Sequence, residues 1–188
     1  MGAPSIARPS KKVVHLIPVG VVEEDLLKEL AQALRDKLGV TVEVGEAVKI
    51  PKTAFDSRRN QYNSTQILQN LLTAGPSVKA LSLAVTEVDL FVSNLNFAFG
   101  EARPPDNIAI ISLCRLRQEF YGMPADRSIL MERMVKEAVH EIGHVWGLGH
   151  CSNPRCVMFF SNSLADTDRK SDAFCKDCKG FLRDDVKE

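Results

Sequence analysis

HEIGHVWGLGHCSNPRC, residues 140–156, places three of the chain's four histidines within eleven residues and sets two cysteines directly behind them. Residues four apart on a helix lie on one face, a turn above one another, so His140 and His144 can chelate one ion from a rigid support. Zinc is the expected ion, because it accepts imidazole nitrogens and needs no redox chemistry. Glu141 leans to the side of that ion, where a base can take a proton from zinc-bound water. His150 is too far along to share the face of a continuing helix. Gly147 and Gly149 are expected to end the helix and turn the chain back, since positive φ costs glycine little. Three neutral imidazoles leave the fourth position open, as in catalytic zinc sites.

Working outward, the helix that carries this pattern is predicted from an N-cap at Asp126 to about Trp146. Its apolar stripe runs through Leu130, Met134, Ala138, Ile142 and Val145. Upstream, KKVVHLIPV (11–19) and VTVEV (40–44) read as strands flanking an amphipathic helix over 21–39. A helix is predicted over about 64–74 and a third strand within LSLAVTEVDLFV (81–92). NFAFGEA (96–102) reads as a short strand ending at Gly100, and NIAIISLCRL (107–116) as a buried one. His15, in the first strand, reads as a core or edge histidine. The expected fold is α/β (α+β), a mixed twisted sheet with a long active-site helix. The expected division is an arm over 1–11, an α/β lobe over 12–149 and a small zinc-stabilised lobe over 150–188.

The 188 residues are 45% hydrophobic and 26% charged, which suits one soluble globular domain with a substantial core. Lys plus Arg and Asp plus Glu stand at 24 each, so no global basic surface is offered to nucleic acid. VVHLIPVGVV (13–22) is too short to span a bilayer. MGAPSIARPSKK lacks the apolar core of a secretory signal. A cytoplasmic protein, monomeric and away from membranes, is therefore expected.

Four of the five cysteines crowd the last fifth of the chain. Cys151 and Cys156 form one close pair and Cys175 and Cys178 another, the layout of a closed structural zinc site. Two disulfides would fit the same even count, and Cys151 could instead join the histidine-bound ion. Cys114, in an apolar stretch, reads as a small buried hydrophobe.

HEIGHVWGLGH resembles the extended zinc pattern of the metzincin metalloproteases, and its continuation HCSNPRCVM…CKDC is similar to that of the archaemetzincins. Weaker likeness runs through RRNQYNST (58–65), NFAFGEA and ISLCRL (111–116). The resemblance implies a zinc peptidase acting on peptides or proteins, with two zinc ions per chain. It implies ligation by His140, His144 and His150, Glu141 as general base, and Met158 as a packing residue under the metal. It also supports peptide pairing along NFAFGEA, with Asn96, Phe97 and Phe99 as substrate contacts. One departure stands out: Phe160 occupies the place where some metzincins carry a tyrosine, and phenylalanine donates no hydrogen bond.

Two other functions compete. A ribosome-maturation endoribonuclease family shares the histidine spacing H-x3-H-x5-H but lacks the glutamate after the first histidine. A two-zinc module that holds peptides without cutting them would retain every ligand. RRNQYNST, with two arginines and one aromatic, could touch RNA or an acidic terminus, but a solvated loop and helix start is the simpler expectation.

Overall fold

The computed structural model describes residues 13–74 and 80–182; the expected arm over 1–11 lies outside them. In chain order the elements begin with strand β1 (Val13–Val19), helix α1 (Glu24–Leu38) and strand β2 (Thr41–Val44). Two very short strands follow, β3 (Phe55–Asp56) and β4 (Gln61–Asn63), then helix α2 (Ser64–Ala74). Next come strands β5 (Leu81–Thr86), β6 (Leu90–Phe91), β7 (Gly100–Arg103) and β8 (Ile108–Ser112). The long helix α3 spans Arg127–Val145, and α4 (Leu164–Arg169) and α5 (Lys176–Phe181) complete the described part.

Among the described residues five strands form the main sheet, in the order β2-β1-β5-β8-β7. All neighbours run parallel except the last pair, where β7 runs antiparallel to β8 with Gly100 opposite Ile111. Every residue of β5 and β8 is buried, so these strands read as nearly continuous apolar runs and not as alternating ones, with Ser82, Thr86 and Ser112 their polar members. Leu81, Leu83 and Val85 face the core shared with α1 and α3, while Ala84 faces the one shared with α2. The sheet is thus covered on both faces. The second small sheet, β3-β4-β6, lies beside α2.

Helix α1 buries Leu26, Leu27, Leu30, Ala31 and Leu34 on one stripe and ends where Gly39 takes φ 64°. It starts later than the predicted residue 21, because Glu23 is still extended and Val21 is 91% exposed. Helix α3 starts where predicted: the Asp126 carboxylate accepts from the Ile129 N–H at 3.0 Å. It is buried on nearly every side, charged residues included.

The predicted strand ending at Gly100 is corrected. The strand begins there, because Ala98 is pinned to Leu90 O and Phe99 turns into the main core. The strand predicted over 107–116 stops at Ser112, and Cys114 beyond it is half-buried. His15 sits on β1, 3.1 Å from Glu43 on the neighbouring strand.

Candidate active site

Helix α3 carries His140 and His144 on one face. The His140 Nδ1–H donates to Val157 O at 2.7 Å and the His144 Nδ1–H to Leu148 O at 2.8 Å. A carbonyl can only accept, so each Nδ1 is protonated and each Nε2 is left with a lone pair. Those two Nε2 atoms face each other at 3.0 Å. Two lone pairs held this close repel unless a cation lies between them. The chain turns back after Trp146 through Gly147, whose φ is 98°; Gly149 contributes no positive φ. His150 then brings its ligand atom within 4.8 Å of the other two. Zinc–nitrogen bonds of about 2.0–2.1 Å put tetrahedral nitrogens about 3.3–3.4 Å apart, so this donor set fits zinc.

Glu141 is buried next to this triad. Burial, with the nearby Glu137 carboxylate second, raises its pKa well above the ordinary carboxylate value. Burial, then the Lys170 ammonium, holds His140 well below the ordinary imidazole range. His144 and His150 are lowered by burial as well. The triad is therefore neutral near pH 7, the state a metal requires.

Two glycines make room for these groups. A Cβ on Gly143 would stand 2.5 Å from Met158 Sδ, so the glycine inside the histidine motif admits the methionine beneath it. A Cβ on Gly100 would stand 2.6 Å from Glu141 Oε1. Met158 itself is fully buried. The turn that carries it also supplies the carbonyl of Val157 to His140.

Four of the five cysteine sulfurs gather behind this turn. Cys151 and Cys175 Sγ are 3.8 Å apart and Cys156 and Cys178 Sγ 3.7 Å, with all four within 4.8 Å of one another. Zinc–sulfur bonds of about 2.3 Å give a tetrahedral edge of about 3.8 Å, whereas a disulfide needs about 2.05 Å. All are free thiols, so neither disulfides nor a Cys151 beside the histidines describes the arrangement. The thiols are uneven: hydrogen bonding from the Cys178 backbone N–H lowers Cys175 to about 7, while burial raises Cys156 and Cys178.

A cavity of about 190 Å³ opens beside Glu141, lined among others by Asn96, Phe97, Phe99, Glu137, His140 and Phe160. Asn96 is exposed, Phe97 half-buried and Phe99 only 5% exposed, its ring edge-on to Phe97 at 5.1 Å. Phe160 meets His150 edge to face, with ring centroids 4.8 Å apart, and brings no donor to the site.

Sequence reading missed what holds this cavity's rim. The Arg59 guanidinium donates to Leu95 O and Asn96 O at 2.8 and 3.0 Å, and Gln61 donates to Asn96 O at 3.1 Å. Ser64 and Thr65 hydroxyls donate to Glu101 on β7. RRNQYNST is thus a brace for the rim and not a merely solvated loop. Glu137 and Lys170, an ion pair at 3.0 Å with side chains 3% and 0% exposed, were also missed. Glu137 lies one turn before Glu141 on the same face, which was a usable signal; Lys170 carried none.

The family model for peptidase family M54 matches residues 24–184. The archaemetzincin of Methanocaldococcus jannaschii is 48% identical over 89% of this chain and 90% of its own length. That of Pyrococcus furiosus is 46% identical over 89% and 91%. The crystal structure of the Archaeoglobus fulgidus archaemetzincin, complexed with malonate, superposes with TM-score 0.78 at 40% identity, covering 89% of this chain and 98% of that one. A Methanocorpusculum labreanum structure described as a zinc-dependent peptidase gives 0.82 at 35% identity, covering 90% and 100%. The chain belongs to peptidase family M54, the archaemetzincin family of zinc metallopeptidases.

Proposed function

We propose that this protein hydrolyses peptide bonds with Glu141 as the proton-transferring base, His140, His144 and His150 holding the catalytic zinc, and Cys151, Cys156, Cys175 and Cys178 holding a second, structural zinc. The observation that carries this reading is a buried carboxylate at the wall of a cavity that His140, one of three converging imidazoles, also lines. When bound, zinc supplies Lewis-acid chemistry, polarising a carbonyl and making water more acidic.

Glu141 takes the proton of the attacking water and keeps it on its carboxylate. It then hands that proton to the departing amine, so the base is regenerated at each turnover. Burial raises the proton affinity of this carboxylate, which strengthens it as a base toward water and lets it hold the proton between the two transfers. The outer edge of β7 pairs with no strand among the described residues. An extended peptide can add there as a further strand, its main chain supplying affinity and its side chains entering the cavity. Asn96, Phe97 and Phe99 line that entry. Phe160 leaves oxyanion stabilisation without a side-chain donor at its position, so slow turnover is expected; one such donor is typically worth about 100- to 1000-fold.

The test is digestion of an unbiased peptide mixture by zinc-loaded protein, read by mass spectrometry, with RNA as the parallel substrate. Cleavage that disappears on chelation and returns with zinc supports the reading. Peptides left intact by fully zinc-loaded protein, or cleavage of RNA alone, would overturn it.

A further inference from the structure

Three stretches far apart in the chain meet at the rim of the cavity beside Glu141. The segment Leu95–Phe97 lines that cavity but belongs to no strand. Its backbone is tethered nearby, Leu95 N–H to Val92 O at 3.0 Å and, just past it, Ala98 N–H to Leu90 O at 2.8 Å. Arg59 and Gln61 grip the carbonyls of Leu95 and Asn96. That grip holds the main chain. The Phe97 ring is met by Arg115, whose Cζ lies over it, 4.4 Å from its centre.

Arginine suits this place, because a planar guanidinium can pair with a carboxylate through its edge and still pack on aromatic rings. Arg115 Nε and Nη2 donate to the two Asp89 oxygens at 2.6 and 2.8 Å, and Cζ also lies over Phe120 at 4.7 Å. Asp89 accepts from Gln61 as well, at 3.0 Å, and Gln61 in turn accepts from Arg59 Nε at 3.0 Å. The Tyr121 hydroxyl donates to the carbonyl of Arg115 at 3.1 Å, fixing the base of the side chain. On its other contact Phe97 meets Phe99 edge-on at 5.1 Å, and Phe99 belongs to the main core. The ring thus stands between a core aromatic and a cation that is itself held in place.

The cavity has two kinds of wall. Its ionisable groups, Glu137, His140 and Glu141, all come from α3, with Lys170 paired to Glu137. Leu95 and Phe97 offer an incoming side chain dispersion contacts and no charge. A wall fixed before the substrate arrives needs no ordering on binding.

We propose that Arg115 is a positioning residue for substrate recognition: it fixes the Phe97 ring as the wall against which an apolar substrate side chain packs beside Glu141. The inference rests on the peptidase reading for its substrate, but binding tests it apart from cleavage.

The experiment uses the zinc-loaded full chain and peptides carrying Leu or Ala in turn on each side of the cleavable bond. Cleavage is followed by mass spectrometry, and binding to the zinc-loaded Glu141→Gln variant by calorimetry. The wild type should favour Leu over Ala by about ten-fold or more on one side, which then reports on the cavity. Arg115→Ala should shrink that ratio several-fold, with the loss on KM more than on kcat and with zinc content retained. Phe97→Ala should shrink it too, and adding Arg115→Ala to Phe97→Ala should cost the ratio nothing more. Arg115→Lys keeps a charge for Asp89 but not the planar fork, so it should show most of the loss; it carries the test alone if Arg115→Ala melts well below the wild type. No Leu preference in the wild type would overturn the inference and leave the peptidase reading standing. So would a preference unmoved by Arg115→Ala, reduced further by it in the Phe97→Ala background, or fully kept by Arg115→Lys. A Leu preference in binding that the Arg115 variants reduce, with no cleavage of any peptide, would sustain the inference and overturn hydrolysis. Neither cleavage nor binding would overturn both.

Discussion

Glu141 lies against the backbone of Gly100, so that a Cβ built on the glycine would stand 2.6 Å from Glu141 Oε1 and 2.7 Å from Ile110 O. The carboxylate and the sheet edge therefore claim the same space. Gly100→Ala should push Glu141 aside while leaving the three histidines untouched. A displacement of about 1 Å in a reacting group costs on the order of 100-fold in rate, and kcat should carry the loss more than KM. Metal analysis should still find the wild-type zinc content. Wild-type kcat in a correctly folded Gly100→Ala protein would mean that the carboxylate does not act from this position.

Cys156 is joined to the histidine site through a single residue. Its thiol belongs to the cysteine cluster, and the next carbonyl, that of Val157, accepts from His140 Nδ1 at 2.7 Å. Met158 follows, filling the space beneath Gly143. Cys156→Ser should thus loosen both sites: one zinc lost from the cluster, and the other held about 10- to 100-fold more weakly, as when an orienting partner of a metal-bound histidine is removed. Competition with a chromophoric chelator measures this. Unchanged affinity at the histidines after loss of the cluster ion would show that the two sites are independent.

Thiol chemistry should separate the fifth cysteine from the four. Burial, then the Asp89 carboxylate, raises Cys114 to about 11, so at pH 8 almost none of it is the reactive thiolate. Zinc-loaded protein should therefore be alkylated slowly, at one site, at a rate that climbs with pH toward 11. Once zinc is stripped, Cys175, lowered to about 7 by the Cys178 backbone N–H, should react first and should already be near its full rate at pH 8. Several fast thiols in the fully zinc-loaded protein would count against a closed cluster.

How far the sequence reveals this arrangement depends on the range of the interactions. The histidine pair, Glu141 and the Asp126 cap are local to one helix, and helical spacing brings them together directly. The buried strands β5 and β8 announce themselves as mostly apolar runs, broken only by Ser82, Thr86 and Ser112. Strands β3 and β4, of two and three residues, are too short to complete a recognisable alternation. The aromatic alternation of NFAFGEA suggested a strand, yet Ala98 is held by Leu90 and Phe99 is drawn into the core. Both contacts are long-range and leave no local pattern. The same holds for Lys170, whose place beside Glu137 depends on how α4 docks onto α3 through Arg133 and Asp168 at 2.7 Å.

The most direct test of the proposed chemistry is turnover by Glu141→Gln. The substitution keeps the size of the side chain and the imidazoles but removes the basic carboxylate. Peptide cleavage by the zinc-loaded variant should fall by about 100- to 10,000-fold, the usual worth of general acid–base catalysis. Zinc content and peptide affinity should be retained. Cleavage at the wild-type rate, in protein shown free of contaminating peptidase, would contradict the assignment of Glu141 as the base.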